Sequence, residues 1–194
     1  MMQKGIKRIF DVVCAVLALL ALAPVWLVVS LWVGLSSPGG IFFRQKRTGY
    51  KGAEFELLKF RSMYVNKEAD TRQADNADPR ITPVGRFLRQ SSLDELPQLW
   101  NIIRGDMSIV GPRPHMIAHT DYYTPLIHDY MRRHDMRPGL TGYAQIKGFR
   151  GATPDLSDMQ NRVTADLEYI DRFSLWLDIK ILAITAWKML TLKL

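Results

Sequence analysis

Asp94 and Glu95 stand side by side in SSLDELPQLW, residues 91–100, framed by leucines and followed by Pro97. Neighbouring carboxylates in an apolar frame repel each other and resist desolvation. Such a pair is kept for chemistry or for a backbone cap. A capping box, Ser92-x-x-Glu95, accounts for both acids but puts Pro97 at the fifth helical position, where its ring and missing N–H fit badly. A helix starting instead at Asp94 tolerates Pro97 in its first turn and offers free N–H groups to an anion. Spacing leaves both open.

The basic residues weigh toward chemistry. KFRSM holds Lys59 and Arg61, GRFLRQ holds Arg86 and Arg89, GPRP holds Arg113, and RPGLTG begins at Arg137. Guanidiniums bind phosphate oxygens in pairs, and glycine lets backbone N–H groups come close. Arg113 lies between two prolines that restrict its neighbours, so little backbone freedom remains to lose on binding. Any one of these arginines alone reads as a solvated surface charge; grouped beside an acidic pair, they read as a phosphate site. Neither a P-loop nor a G-x-G-x-x-G fingerprint occurs, which excludes a Walker ATPase and a Rossmann dehydrogenase.

These residues need a scaffold, and composition bounds it. The 194 residues suffice for one compact domain with a small appendage. Lys and Arg number 26 against 19 Asp and Glu, a formal charge of +7 suited to nucleic acid, an anionic membrane or a phosphate-rich substrate. Aromatics fall in apolar runs rather than between basic residues, which argues against nucleic acid. The single cysteine, Cys14, excludes an internal disulfide framework, and the four histidines lack zinc spacing.

Residues 12–35 carry no charge and are long enough to cross a hydrocarbon core of about 30 Å. Lys4, Lys7 and Arg8 precede them, and Arg44, Lys46 and Arg47 follow, so positive charge pulls both ends to the cytoplasm. Pro24, in mid-run, lacks an N–H and clashes with the carbonyl of Leu20. A re-entrant helix broken at Pro24, each half about 18 Å long, is therefore expected; a kinked transmembrane helix is the alternative.

Beyond residue 38 the composition becomes globular. IFFRQKR and AEFELLKF, joined by TGYKG, predict a β-hairpin. A polar irregular stretch spans residues 63–82, with helical pieces at VGRFLRQ and at LPQLWNIIRG, the latter ending at Gly105. MIAHTDYYTPLIHDYMRRH is helical in two parts around Pro125, and RPGLTGYAQIKGFRGATP reads as a glycine-rich loop before a helix over 156–173. The tail from Ser174 is too polar to span a bilayer. It reads as an interfacial amphipathic helix or as a core helix. The fold class is α+β and mainly helical, with residues 1–38 as the membrane element and 39–194 as a cytoplasmic catalytic domain.

KRIFD, FFRQKRTGYKG, FELLKFRSM, SSLDELPQLWN, GDMSIVGPRP, RHDMRPGLTGYAQIKG and SLWLDIKIL occur in this order across residues 7–182. Together they resemble the bacterial sugar transferases, the monotopic polyprenol-phosphate phosphoglycosyltransferases. The resemblance implies transfer of a sugar-1-phosphate from a UDP-sugar to undecaprenyl phosphate, with UMP released, at the cytoplasmic face of the bacterial inner membrane. It implies Asp94 as the nucleophile that forms a phosphosugar-enzyme intermediate, Glu95 as its partner, and Mg²⁺ held by the two carboxylates. Lys59, Arg89, Arg113 and Asp166 fall on motif positions expected to line the site, joined by Arg61 and Arg137 from the basic motifs. HMIAHTDYY and the segment from Gly148 are similar to the subgroup that moves glucose-1-phosphate in exopolysaccharide synthesis, so UDP-glucose or a near hexose is the expected donor. Many family members have Ser-Pro at the membrane break, where this chain has Ala23-Pro24. Membrane lipids are expected partners, and a homo-oligomer stays open. The rival class is a membrane-anchored basic scaffold without catalysis.

Overall fold

A computed structural model describes residues 2–66 and 78–191; the middle of the polar stretch over 63–82 lies outside the described residues. The first apolar segment forms α1 (Met2–Ala21) and α2 (Ala23–Ser36), whose axes differ by 66°. The break falls at Leu22 rather than at Pro24. Pro24 sits in the first turn of α2, where a missing N–H costs no helical hydrogen bond. Among the described residues no single helix is long and apolar enough to cross a membrane; only the bent pair together has the length and composition. Both helices expose large apolar side chains, among them Leu17, Leu20, Leu27, Leu31 and Leu35.

The predicted hairpin is present. β1 (Phe42–Thr48) pairs antiparallel with β2 (Glu54–Phe60), from Phe42 opposite Phe60 to Thr48 opposite Glu54. Alternation along β2 serves two hydrophobic clusters: Leu57 packs with Ala15 of α1, and Phe60 with Val29 and Val33 of α2. Just past the strand, Arg61 donates to the carbonyls of Pro38, Ser37 (2.7 Å) and Val33 (3.4 Å), closing the C-terminal end of α2.

α3 (Pro83–Gln90) starts at Thr82, whose hydroxyl accepts from the Gly85 N–H at 2.8 Å. Gly85 lies so close to β2's exit that a Cβ there would stand 1.8 Å from the Ser62 carbonyl oxygen. Next, Ser92 takes a left-handed conformation (φ 58°), and Leu93–Glu95 makes a single 3₁₀ turn. α4 (Gln98–Arg104) follows with Pro97 at its N-cap. Both helix starts considered from spacing are thus corrected: Ser92 caps nothing with its side chain, and Asp94 precedes the α-helix inside a tighter turn. α4 ends at Gly105, left-handed at φ 101°, as expected of that glycine.

α4 is fixed from two sides. Asn101, fully buried, accepts from the Leu58 N–H (3.0 Å) and donates to the Glu56 carbonyl (2.7 Å), covering the free edge of β2. Arg8 of α1 donates to the carbonyls of Ile102 (2.6 Å) and Ile103 (2.9 Å), and Arg137 to that of Gly105 (2.9 Å).

β3 (Ser108–Val110) and β4 (Gly139–Thr141) pair in parallel, so RPGLTG is partly a strand rather than a loop, and α6 (Tyr143–Ile146) succeeds it. Glycine permits the pairing: a Cβ on Gly139 would sit 2.1 Å from the Gly111 nitrogen. Between the strands, α5 (Ile117–Tyr123) and a 3₁₀ turn (Tyr130–Asp135) flank Pro125. α7 (Leu156–Asp171) and α8 (Leu175–Leu190) complete the fold. The tail is one helix with a buried side and an exposed side: Asp178 and Ile181 are buried, whereas Trp176 and Trp187 are 75% and 67% exposed. Asp178 pairs with Lys7 of α1 at 2.6 Å and accepts from the Tyr169 hydroxyl at 2.7 Å, which latches the first helix to the last.

Candidate active site

The 3₁₀ turn carries Asp94 and Glu95 to the floor of a cavity of about 680 Å³. The left-handed Ser92 turns the chain sharply after α3, and α4, pinned to β2 by Asn101, holds the turn against the strand's last residues. Lys59, projecting from β2, meets both acids: its ammonium lies 2.8 Å from Glu95 Oε1 and 3.8 Å from Asp94 Oδ2. Arg113, in the bend after β3, grips Glu95 with both terminal nitrogens, at 2.6 Å to Oε1 and 3.4 Å to Oε2.

The two carboxylates are therefore unequal. Burial alone would raise Glu95, but the Arg113 guanidinium and the Lys59 ammonium reverse that and hold it well below the usual carboxylate range. Asp94, 5% exposed, accepts no hydrogen bond from any described residue. Burial pushes its carboxyl up, Lys59 opposes this, and the Glu95 charge adds to the rise. One acid has its oxygens bonded, and the other has no hydrogen bond from any described residue.

Eight arginines and Lys59 line the cavity against these two acids alone among the described residues, so its field is positive. The expected residues divide. Lys59, Arg89 and Arg113 converge on the dyad's cavity, and among the described residues the Arg89 guanidinium has one polar contact, the Met63 sulfur at 4.0 Å. Arg61 borders the cavity, but its terminal guanidinium nitrogens point to the end of α2. Arg137 lies away from the cavity, stacked on Tyr50 at 5.2 Å and bonded to Gly105. Asp166 is also outside it. Buried, it takes Arg133 at 2.6 and 3.2 Å, and Arg133 in turn donates to the carbonyl of Arg113 at 2.8 Å. Asp166 thus supports Arg113 through an intermediate arginine.

Three cavity residues escaped the sequence reading. Arg150 donates to the Ser92 hydroxyl at 3.1 Å, and its position before Gly151 repeats the Arg–Gly/Pro pattern noted elsewhere. Arg162 lies four residues before Asp166 on α7, a spacing that puts both on one helical face. His115 follows GPRP directly. It bonds the Tyr130 hydroxyl through Nδ1 at 2.6 Å, while burial and nearby arginines push its imidazole well below the usual value and keep it neutral.

No group of three or more His, Cys, Asp or Glu among the described residues could hold a metal by itself. Mg²⁺ needs less, taking one or two carboxylates with substrate phosphates and water as its remaining ligands. Asp94, buried with no hydrogen bond from any described residue, fits that demand; Glu95, beside it, offers oxygens already shared with Lys59 and Arg113.

The bacterial sugar transferase profile matches residues 2–192. Over 186 residues the chain is 52% identical to the UDP-glucose:undecaprenyl-phosphate glucose-1-phosphate transferase of Xanthomonas campestris pv. campestris, covering 95% of this chain and 38% of that protein. The enzyme of the same name from Escherichia coli (strain K12) is 52% identical over 184 residues, covering 94% and 40%. The one from Caulobacter vibrioides is 50% identical over 186 residues, covering 95% and 70%. The chain spans less than half the length of the Xanthomonas and Escherichia proteins.

Proposed function

The chain belongs to the bacterial sugar transferase family, and from that premise we propose that it moves glucose-1-phosphate, or a close hexose-1-phosphate, from its UDP-sugar to undecaprenyl phosphate with release of UMP. The observation that carries this reading is the unequal pair: Asp94 buried without a hydrogen bond, beside Glu95 held by two cations, under a ring of arginines. A carboxylate needs no base to become a nucleophile, and burial makes this one more basic than an exposed aspartate. Lys59, Arg89 and Arg113 offset the charge that would repel it from a diphosphate. Asp94 attacks the sugar-linked phosphorus to form an acyl phosphate and expel UMP; an oxygen of undecaprenyl phosphate then bonds to that phosphorus, the bond to Asp94 breaks, and the carboxylate is regenerated. Asp94 and Glu95 would hold Mg²⁺, which would supply further neutralisation of phosphate charge.

The 66° bend between α1 and α2, their exposed apolar faces and the basic residues on both flanks support a re-entrant element at the cytoplasmic face of the inner membrane. In this assignment residues 1–38 enter the bilayer and residues 39–194 form the catalytic unit. The exposed tryptophans of α8 lie in the headgroup layer.

The test is UMP release from a panel of UDP-sugars with undecaprenyl phosphate and Mg²⁺. UDP-glucose or a near hexose is expected to be the best donor, and Asp94→Asn to abolish release. Full activity in that variant would remove Asp94 from the chemistry. Cysteines at positions 3 and 38, placed in a Cys14→Ser background, should label from the same side of the membrane; labelling from opposite sides would mean a true span.

A further inference from the structure

Arg61, Arg89, Arg150 and Arg162 line the cavity without an ion pair to any described carboxylate, and they occupy different places: Arg61 closes the end of α2, and Arg150 donates to the Ser92 hydroxyl. Arg89 belongs to the dyad's surroundings. Arg162, 5% exposed, comes from α7; it donates from Nη2 to the Gly151 carbonyl at 2.9 Å, and its buried Nε has no hydrogen-bond partner. Asp158 and Asp166 attract it from beyond ion-pair distance, whereas Arg113 and Arg133 repel it, so its surroundings are short of negative charge. A buried guanidinium without a counter-charge is costly, and a fold keeps one where an anion will arrive.

His115 supplies a second, independent sign. It is 3% exposed and lines the same cavity, and its buried Nε2 also lacks a partner. The Tyr130 hydroxyl meets His115 Nδ1 at 2.6 Å and also the Thr120 and Arg133 side chains; Arg133 can only donate to its oxygen, and a phenol is a better donor than an imidazole, so the hydroxyl proton points to Nδ1. Nδ1 therefore accepts, which leaves the proton of the neutral ring on Nε2. Two buried N–H donors, from α7 and from the segment after GPRP, are thus unsatisfied at one cavity.

A nucleotide diphosphate donor has two phosphoryl groups. We infer that Arg162 and His115 form a subsite for the phosphate that leaves on UMP, distinct from the Lys59–Arg89–Arg113 group that faces the attacked phosphate. This rests on the reaction proposed above. As an Asp94 oxygen bonds to the sugar-linked phosphorus, the bond from that phosphorus to the bridging oxygen breaks and its electron pair stays on that oxygen. The carboxylate's charge ends on UMP, and no proton moves. Arg162 and the Nε2 proton of His115 meet the charge where it appears. Arg162 is a catalytic residue for the first half-reaction and has no part in the second, when UMP has gone.

UMP itself is the probe. Arg162→Gln should weaken UMP, measured as an inhibitor of the first half-reaction and by thermal stabilisation, by about 10- to 100-fold. It should slow loading of Asp94 similarly, yet leave discharge of preloaded enzyme to undecaprenyl phosphate unchanged. His115→Phe should weaken UMP, and His115→Gln, whose amide reaches the position of Nε2, should recover part of it. Arg162→Gln should melt no lower than wild type, because the replaced charge has no carboxylate partner; should it not accumulate, Arg162→Lys and the His115 pair carry the test. Unchanged UMP affinity in Arg162→Gln, or discharge slowed as much as loading, overturns the subsite. Should wild type release no UMP from any UDP-sugar, the reaction falls; UMP stabilisation that disappears in Arg162→Gln would still uphold the subsite.

Discussion

Replacing Asp166 by asparagine keeps shape and removes one charge from a pair sealed inside the protein. The side chains of Arg133 and Asp166 are 1% and 2% exposed and meet at 2.6 and 3.2 Å. Removing one partner of such a pair strands the other charge, at a cost of about 3–5 kcal/mol. For a chain of this size each kcal/mol lowers Tm by roughly 2–4 °C, so Asp166→Asn should melt about 6–20 °C below wild type in detergent or nanodiscs. Burial raises the Asp166 carboxyl despite the adjacent Arg133, so desolvation outweighs attraction in the pair. A neutral pair of similar volume should then recover most of the loss, and Asp166→Asn/Arg133→Met should melt near wild type. Activity should stay low in the double variant, because the bond from Arg133 to the Arg113 carbonyl has gone. A fall under about 3 °C for Asp166→Asn, or a double variant melting below both singles, would refute the reasoning.

Three further outcomes follow from the same geometry. The Glu95 carboxyl titrates below its unfolded value near 4.5, so its stabilisation is complete above that pH and is lost as pH falls through the folded value; the Tm gap between wild type and Glu95→Gln should be constant from pH 6 to 8 and narrow below pH 4.5. Asp94→Asn should melt at or above wild type at pH 7, by up to about 2 kcal/mol, because it neutralises a buried carboxylate that accepts no hydrogen bond; a clear decrease would show that the charge is structurally required. Gly85→Ala should lose about 2–4 kcal/mol in thermal melts, since its Cβ would stand 1.8 Å from the Ser62 carbonyl oxygen; wild-type stability would contradict the close approach of α3.

Features set by local pattern were legible in the sequence. The hairpin, the Gly105 stop, the two-part helix around Pro125 and the α7 periodicity all rest on neighbours within a few residues. The dyad was legible because two acids between leucines have few structural uses. The β3–β4 pairing was not: each strand is three residues long, and the contact depends on glycines far apart in the chain. Arginine roles were the least legible. Arg61 and Arg113 both neighbour turn-forming residues, yet one closes a helix end and the other grips Glu95, because carbonyls and carboxylates attract the same nitrogens. Arg162 lies inside the helical run of α7, where an arginine reads as an ordinary surface charge, and only the cavity reveals it.

Lys59, near the end of β2, and Arg61, just past it, stand two residues apart along extended chain, about 7 Å. One ends on the reactive acids and the other on the last carbonyls of α2. So short and stiff a spacer works as a depth gauge: under the proposed assignment, with α2 in the bilayer and Asp94 as nucleophile, that carboxylate would ride at a set height over the lipid and could not swing out to collect an acceptor. The proposed long-chain alcohol phosphate acceptor would then keep its tail dissolved throughout and offer only its head, while the water-soluble donor would make the journey down.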